Sequence, residues 1–135
     1  MPHKNLPDED FLSSLQSGDL NPKIFNHEAH LRLAYILSKK FDKDTSIEKV
    51  MHCIHGYVNH LGAQDKYHMT LTIAAVKIVH HFMEKSASTN FNTFIKEYPQ
   101  LNDDFKRLLF THYSKKAIES PEAKLKYIKP DLLDF

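Results

Sequence analysis

The chain has 135 residues, a formal net charge of +1 and one cysteine, Cys53, which fits one domain and excludes an internal disulfide or a cysteine-rich zinc site. The near-zero charge and only two arginines, Arg32 and Arg107, argue against nucleic acid and anionic membrane as partners. No stretch is apolar enough for a signal peptide or a membrane span, so we expect a cytoplasmic protein. Its ten histidines are the unusual feature.

Helical periodicity covers most of the first half of the chain, and strand-like alternation is nearly absent. A capping residue precedes each helical segment. The predicted caps are Asp8 for a helix that ends at Gly18, Asn26 for one at about 27–40, Asp44, Thr45 or Ser46 for one that ends near Gly62, and Asp65 for one at about 66–85.

The second half predicts shorter helices. They are "FNTFIKEY" before Pro99, a helix at about 103–113 capped by Asn102, and a segment that begins with Ser120 as cap and Pro121 as its first residue. Together the segments predict an all-α, single-domain helical bundle with short connections. We expect this domain to span residues 1–135, with its core at about 25–132.

Three of the predicted helices carry histidines on the face that holds their apolar residues. His27 and His30 lie on that face of the second helix, and His68 lies at the centre of it in the fourth. His112 continues the apolar face of the helix after Asn102. The other six are predicted to point to water: His3, His52, His55, His60, His80 and His81.

Four inward imidazoles are costly unless each ring nitrogen has a partner. A divalent metal ion would supply one, because neutral imidazole is a common metal ligand. The pattern therefore predicts a metal site of His27, His30, His68 and His112. Zinc or iron fits such a ligand set first, and nickel or copper second. No residue pattern indicates an organic cofactor.

Three neighbouring residues are candidates for catalysis at this site. His68 would act together with Thr72, one turn later, and with Tyr67. Each also has a structural explanation. Thr72 can donate a hydrogen bond to the carbonyl of His68, four residues earlier, and Tyr67 can be an aromatic residue at the edge of the core.

Three stretches, "FNHEAHLRLA", "YHMTLT" and "HYSKKAIESPEAKLKYIKPDL", resemble a family of small all-helical bacterial proteins with F-x-H-x-x-H-[LV]-R-x-A, Y-H-x-T-x-T and H-[WY]-S motifs. The resemblance covers about residues 25–132 and implies no established activity. Tyr35 stands where the family usually has tryptophan, and Lys115 and Lys116 stand where it has arginine. The resemblance selects Phe25, His27, His30, Arg32, Tyr67, His68, Thr70, Thr72, His112, Tyr113, Ser114 and Asp131.

Three functions fit these observations. The first is a metal-dependent enzyme that acts on a small molecule through the histidine site. The second is a non-catalytic binding or regulatory protein whose histidines form a structural polar network. The third is metal-free acid–base catalysis by one histidine. In each case the expected partner is a small-molecule ligand or substrate, with no nucleic acid and no membrane, and the sequence leaves a homo-oligomer open.

Two further residues have structural explanations in the sequence. Arg32 follows Glu28 by one helical turn, which predicts a surface ion pair, and the alternative is a carboxylate clamp, for instance with Asp131. Cys53 lies to the side of the apolar face of its helix without a convincing base nearby, which predicts an inert thiol.

Overall fold

The structure, a computed structural model, describes residues 2–135, and within that range it is helical without a strand. The predicted all-α class is confirmed. The helices are α1 (Asp8–Ser17), α2 (His27–Lys40), α3 (Lys43–His60), α4 (Met69–Lys85), α5 (Phe91–Glu97), α6 (Gln100–Asp103), α7 (Phe105–His112), α8 (Lys115–Ile118) and α9 (Pro121–Leu125). None of the helices in the described range is long and apolar enough to cross a membrane.

Two predicted helix starts are confirmed by their caps. The Asn26 side chain accepts a hydrogen bond from the Ala29 amide at the start of α2, and the Ser120 hydroxyl accepts one from the Ala123 amide at the start of α9. Both caps act within three residues, so the local sequence alone is enough to locate them.

Four other helix starts differ from the prediction. α1 begins at Asp8 itself, because Pro7 is the residue that precedes its first turn. α3 begins at Lys43 because Asp42 is its cap. α4 begins at Met69 and not near residue 66, because Asp65 lies in a 3₁₀ turn and the backbone is extended at Tyr67 and His68. The expected helix after Asn102 is divided into α6 and α7, since the backbone at Asp104 leaves the helical region.

The helix α2 is the centre of the fold. Its residues from Leu31 to Ser38 are all buried, because α2 packs against α3, α4, α5 and α6. A second, smaller core joins α4 to the C-terminal helices through Ala74, Leu109, Tyr113 and Ile118. This smaller core holds α7 and α8 against the first half of α4, and α9 packs on α4 as well.

Arg32 contradicts the predicted surface pair with Glu28. Its side chain is only 6% exposed, and its guanidinium donates to the carbonyls of His3 and Leu6. Arg32 does bind a carboxylate, as the alternative predicted, but the partner is Asp8 and not Asp131. The distance from the guanidinium nitrogen to the Asp8 carboxylate oxygen is 2.8 Å. The buried charge thus fixes the N-terminal segment to the central helix.

His3 was predicted to be exposed in the tail, and this is wrong. The residue is 2% exposed, and its Nε2–H donates to the Glu28 carboxylate at 3.0 Å. The N-terminal segment folds back over α2, a contact between residues 25 positions apart that helical periodicity does not encode.

Arg32→Ala should lower the free energy of unfolding by about 2–4 kcal/mol, because it removes charged hydrogen bonds and leaves two carbonyls without their donor. Arg107→Ala is the matched control, since the Arg107 side chain is 84% exposed. This control should change stability by no more than about 0.5 kcal/mol. Urea denaturation of the two variants measures the difference, and equal losses would contradict the role given to Arg32.

Candidate functional site

Each of the four predicted metal ligands donates a hydrogen bond to a backbone carbonyl. The acceptors are Leu101 for His27, Asn26 for His30, Ile118 for His68 and Leu133 for His112, at distances of 2.7–3.0 Å. The expectation that all four lie on buried faces is wrong for His27, which is exposed, and the other three are half-buried.

His27 and His30 lie together in the first turn of α2, whereas His68 precedes α4 and His112 ends α7. His27 reaches α6, His68 reaches α8 and His112 reaches the end of the chain. Among residues 2–135, no three side chains of histidine, cysteine, aspartate or glutamate are grouped so that they could hold one metal ion. Binding of a divalent metal by these four residues therefore stays a prediction.

His68 uses both of its ring nitrogens. Its Nδ1 accepts the Leu71 amide at 3.0 Å and so caps α4, while its Nε2–H donates to the Ile118 carbonyl at 3.0 Å. This arrangement needs the neutral imidazole, because one nitrogen must accept and the other must donate. The Thr72 hydroxyl donates to the His68 carbonyl at 2.8 Å, as its structural explanation predicts. Catalytic roles for His68, Thr72 and Tyr67 stay predictions.

Alternate residues of the segment Tyr67–Thr70 have two different roles. Tyr67 and Met69 line a cleft. His68 holds the end of α8, and the Thr70 hydroxyl donates to the Lys126 carbonyl at 2.8 Å and accepts the Ile128 amide at 3.1 Å. The helix α9 lies between these two attachment points, and it forms the opposite wall of the same cleft.

The cleft has a volume of about 670 Å³ and lies between α3, the turn before α4, the start of α4 and α9. Apolar side chains form most of its lining. Ionisable side chains come from α3, from the turn before α4 and from α9. The lining residues are Met51, His52, His55, Gln64, Asp65, Tyr67, Met69, Pro121, Lys124 and Leu125.

Most ionisable side chains of the cleft do not stabilise the fold through ion pairs. His52, Asp65 and Lys124 take part in no ion pair within residues 2–135. The His55 ring meets the Tyr67 ring edge-on at 5.1 Å, and burial raises the pKa of the Tyr67 phenol, which keeps it neutral. Ligand sites typically combine a mainly apolar wall with a few free polar groups of this kind.

The sequence placed His52 and His55 on the solvent side of α3, and both are exposed there. Their contribution to the cleft was missed because its opposite wall, α9, is about 70 residues away and has no sequence signal that links it to α3. The sequence did offer a local indication of the cleft at its other wall. Tyr67 and Met69 flank His68 at alternating positions, as in an extended segment, so both can point to the side opposite His68.

Residues 126–133, here the C-terminal strap, have no helix and are held by side chains of the motifs. The Tyr113 hydroxyl donates to the Ile128 carbonyl at 2.8 Å, and the Asp131 carboxylate accepts the Ser114 amide at 2.8 Å. The hydrogen bonds from Ser114 hold the pKa of Asp131 below its usual range. The motif residues in this part of the chain therefore anchor backbone that would otherwise lack partners.

A second groove lies between α1, α2 and α3 and shares His52 with the cleft. Cys53 lines it but is buried, and burial raises the pKa of its thiol. A raised pKa lowers the thiolate fraction, in agreement with the predicted inert thiol.

The pKa of His30 and the pKa of His3 both lie below the ordinary value of 6.5, chiefly because burial disfavours the charged ring. Below about pH 6.5 the unfolded chain therefore binds more protons than the folded one. Their contribution to stability is complete above pH 6.5 and is lost as the pH falls toward the folded-state pKa values.

His30→Gln should flatten this loss, because glutamine cannot be protonated. Urea denaturation at pH 7.5 and pH 5.5 gives the change in the free energy of unfolding, with His81→Gln, at an exposed position, as the matched control. The drop between the two pH values should be smaller in His30→Gln than in His81→Gln. Identical drops would show that His30 does not contribute to the acid sensitivity.

His68→Asn and His68→Ala separate the two tasks of His68. Asparagine is a good helix cap but is too short to reach Ile118, so His68→Asn should cost about 1 kcal/mol of stability and speed amide exchange in α8 and α9. His68→Ala should cost about 1 kcal/mol more and also expose the first turn of α4 to exchange. Unchanged exchange in α8 and α9 of His68→Asn would refute this attachment.

No family model, no curated protein and no solved structure matches this chain. The resemblance to the family of small helical proteins therefore rests on the motif residues alone. The side chains that line the cleft are therefore the basis for assigning its function.

Proposed function

We propose that this protein is a non-catalytic binding protein that takes a small-molecule ligand in the cleft between α3, the start of α4 and α9. The observation that carries the proposal is the alternation at residues 67–70. Tyr67 and Met69 face the cleft, while His68 and Thr70 hold its opposite wall in place. One short motif thus supplies both a part of the lining and the support of the far wall.

The division of polar groups supports the same function. The motif histidines are engaged with backbone carbonyls, whereas the ionisable cleft residues His52, Asp65 and Lys124 stabilise no part of the fold by an ion pair within residues 2–135. Groups that the fold does not use are free to contact a ligand. The lining residues include no serine, threonine or cysteine that could act as an activated nucleophile, which favours binding over covalent catalysis.

Fixed walls also favour binding energetically. A ligand that enters a preformed cleft does not have to order α9, because His68 and Thr70 have already done so. The structural network of the motifs and the binding function are therefore parts of one arrangement.

The competing hypothesis of a metal-dependent enzyme requires different chemistry at His68. A metal ion would need the lone pair of a ring nitrogen, so His68 would have to release either the Leu71 amide or the Ile118 carbonyl. Metal analysis of untagged protein distinguishes the hypotheses: a stoichiometric ion with an open coordination position, lost in His68→Asn, would favour the enzyme over a binding protein that holds metal only for stability.

Binding of the neutral dye Nile red, followed by its fluorescence, tests the cleft. Leu125→Asp should weaken dye binding at least about tenfold, because it places a charge on the cleft wall, and Leu125 is 76% exposed, so the fold should tolerate the change.

Leu132→Asp is the matched control, because Leu132 is 59% exposed and does not line the cleft. Dye binding should be the same in Leu132→Asp and in the unchanged protein. Equal weakening in both variants, or in neither, would place the dye elsewhere and contradict the proposed site.

A further inference from the structure

We propose that the ligand of the cleft is an amphipathic monocarboxylate, a medium-chain fatty acid anion in chemical class. This inference rests on the proposed binding function and adds the identity of the ligand class to it. It follows from the distribution of apolar and charged side chains around the cleft.

The apolar side chains form a lining suited to a flexible hydrocarbon chain. Met51 comes from α3, Tyr67 and Met69 from the segment that opens α4, and Pro121 and Leu125 from α9. Methionine side chains adapt their shape to what they contact, so two of them on different walls can follow a chain without one fixed conformation. A ligand without an apolar part would leave this surface in contact with water.

The charged groups of the cleft favour an anion. Three basic side chains line it, His52 and His55 on α3 and Lys124 on α9, against a single carboxylate, Asp65, in the turn before α4. Lys124 contributes a full positive charge at neutral pH, and the imidazoles add hydrogen-bond donors and further charge when they are protonated. Because the basic groups stand on opposite walls, a carboxylate in the cleft would be attracted toward both walls.

The start of α4 adds to this preference. Met69 is the first residue of α4 and lines the cleft, so the positive end of the helix dipole lies at the same place. A cationic amphiphile would meet this dipole and Lys124 and would have only Asp65 as a partner. The observations therefore favour the anion, and the cation becomes an outcome of the test.

Displacement of Nile red by three probes with the same twelve-carbon chain tests the charge of the ligand. The probes are dodecanoate, dodecanol and dodecylammonium, each at pH 7 and below the concentration at which it forms micelles. Dodecanoate should displace the dye at a concentration at least about tenfold lower than dodecylammonium, with dodecanol between the two. Because the chain is constant, the order reports the head group alone.

Lys124→Glu should weaken dodecanoate about tenfold and strengthen dodecylammonium, since it reverses one charge of the cleft. The matched control is Lys116→Glu, which makes the same change at an exposed position of α8 outside the cleft. Lys116→Glu should leave all three probes unchanged.

The outcomes separate failure of the ligand class from failure of the site. Dye binding that is lost in Leu125→Asp, together with equal displacement by all three probes or a preference for dodecylammonium, would overturn the carboxylate and leave the cleft as a binding site. Equal effects of Lys124→Glu and Lys116→Glu would do the same. Absence of dye binding, with no dodecanoate binding in calorimetry, would overturn both proposals.

Discussion

The arrangement of the C-terminal third depends on one neutral imidazole. His68 accepts an amide of its own helix on one nitrogen and donates to the Ile118 carbonyl on the other, 50 residues further along the chain. The first bond fixes where α4 begins, and the second fixes where α8 ends. Because α9 starts three residues after Ile118, this ring positions the cleft wall together with the hydrogen bonds of Thr70 to Lys126 and Ile128.

Hydrogen bonds from side chains to backbone carbonyls also hold the N-terminal segment and the C-terminal strap. Segments without regular structure carry backbone groups that have no partner of their own, and folding is costly unless other groups satisfy them. Arg32 does this for the N-terminal segment, and Thr70 and Tyr113 do it for the C-terminal strap. Arg32 and Thr70 belong to helices and Tyr113 directly follows α7, so the packed helices serve as a frame on which the less regular ends are fixed.

The sequence was sufficient for features that depend on neighbouring residues. The helical class and the caps at Asn26 and Ser120 act over a few positions and were predicted. The start of α4 was not, because Tyr67 and His68 continue the apolar pattern although their backbone is extended. The partners of Arg32 and the far wall of the cleft lie 24 or more residues away, and no local pattern encodes such contacts.

Histidines that contact carbonyls and histidines that bind metals leave the same pattern in a sequence. Both kinds of ring are held in one orientation by a partner on a ring nitrogen, so spacing and helical faces cannot distinguish them. At His68 a metal ion would need the lone pair of a ring nitrogen, so it would displace either the Leu71 amide from Nδ1 or the Nε2 proton that is donated to Ile118. Exchanging that proton for a metal ion would remove the hydrogen bond between His68 and Ile118. Metal binding through Nε2 and the attachment of α8 to His68 are therefore alternatives, whereas metal binding through Nδ1 would leave that attachment in place.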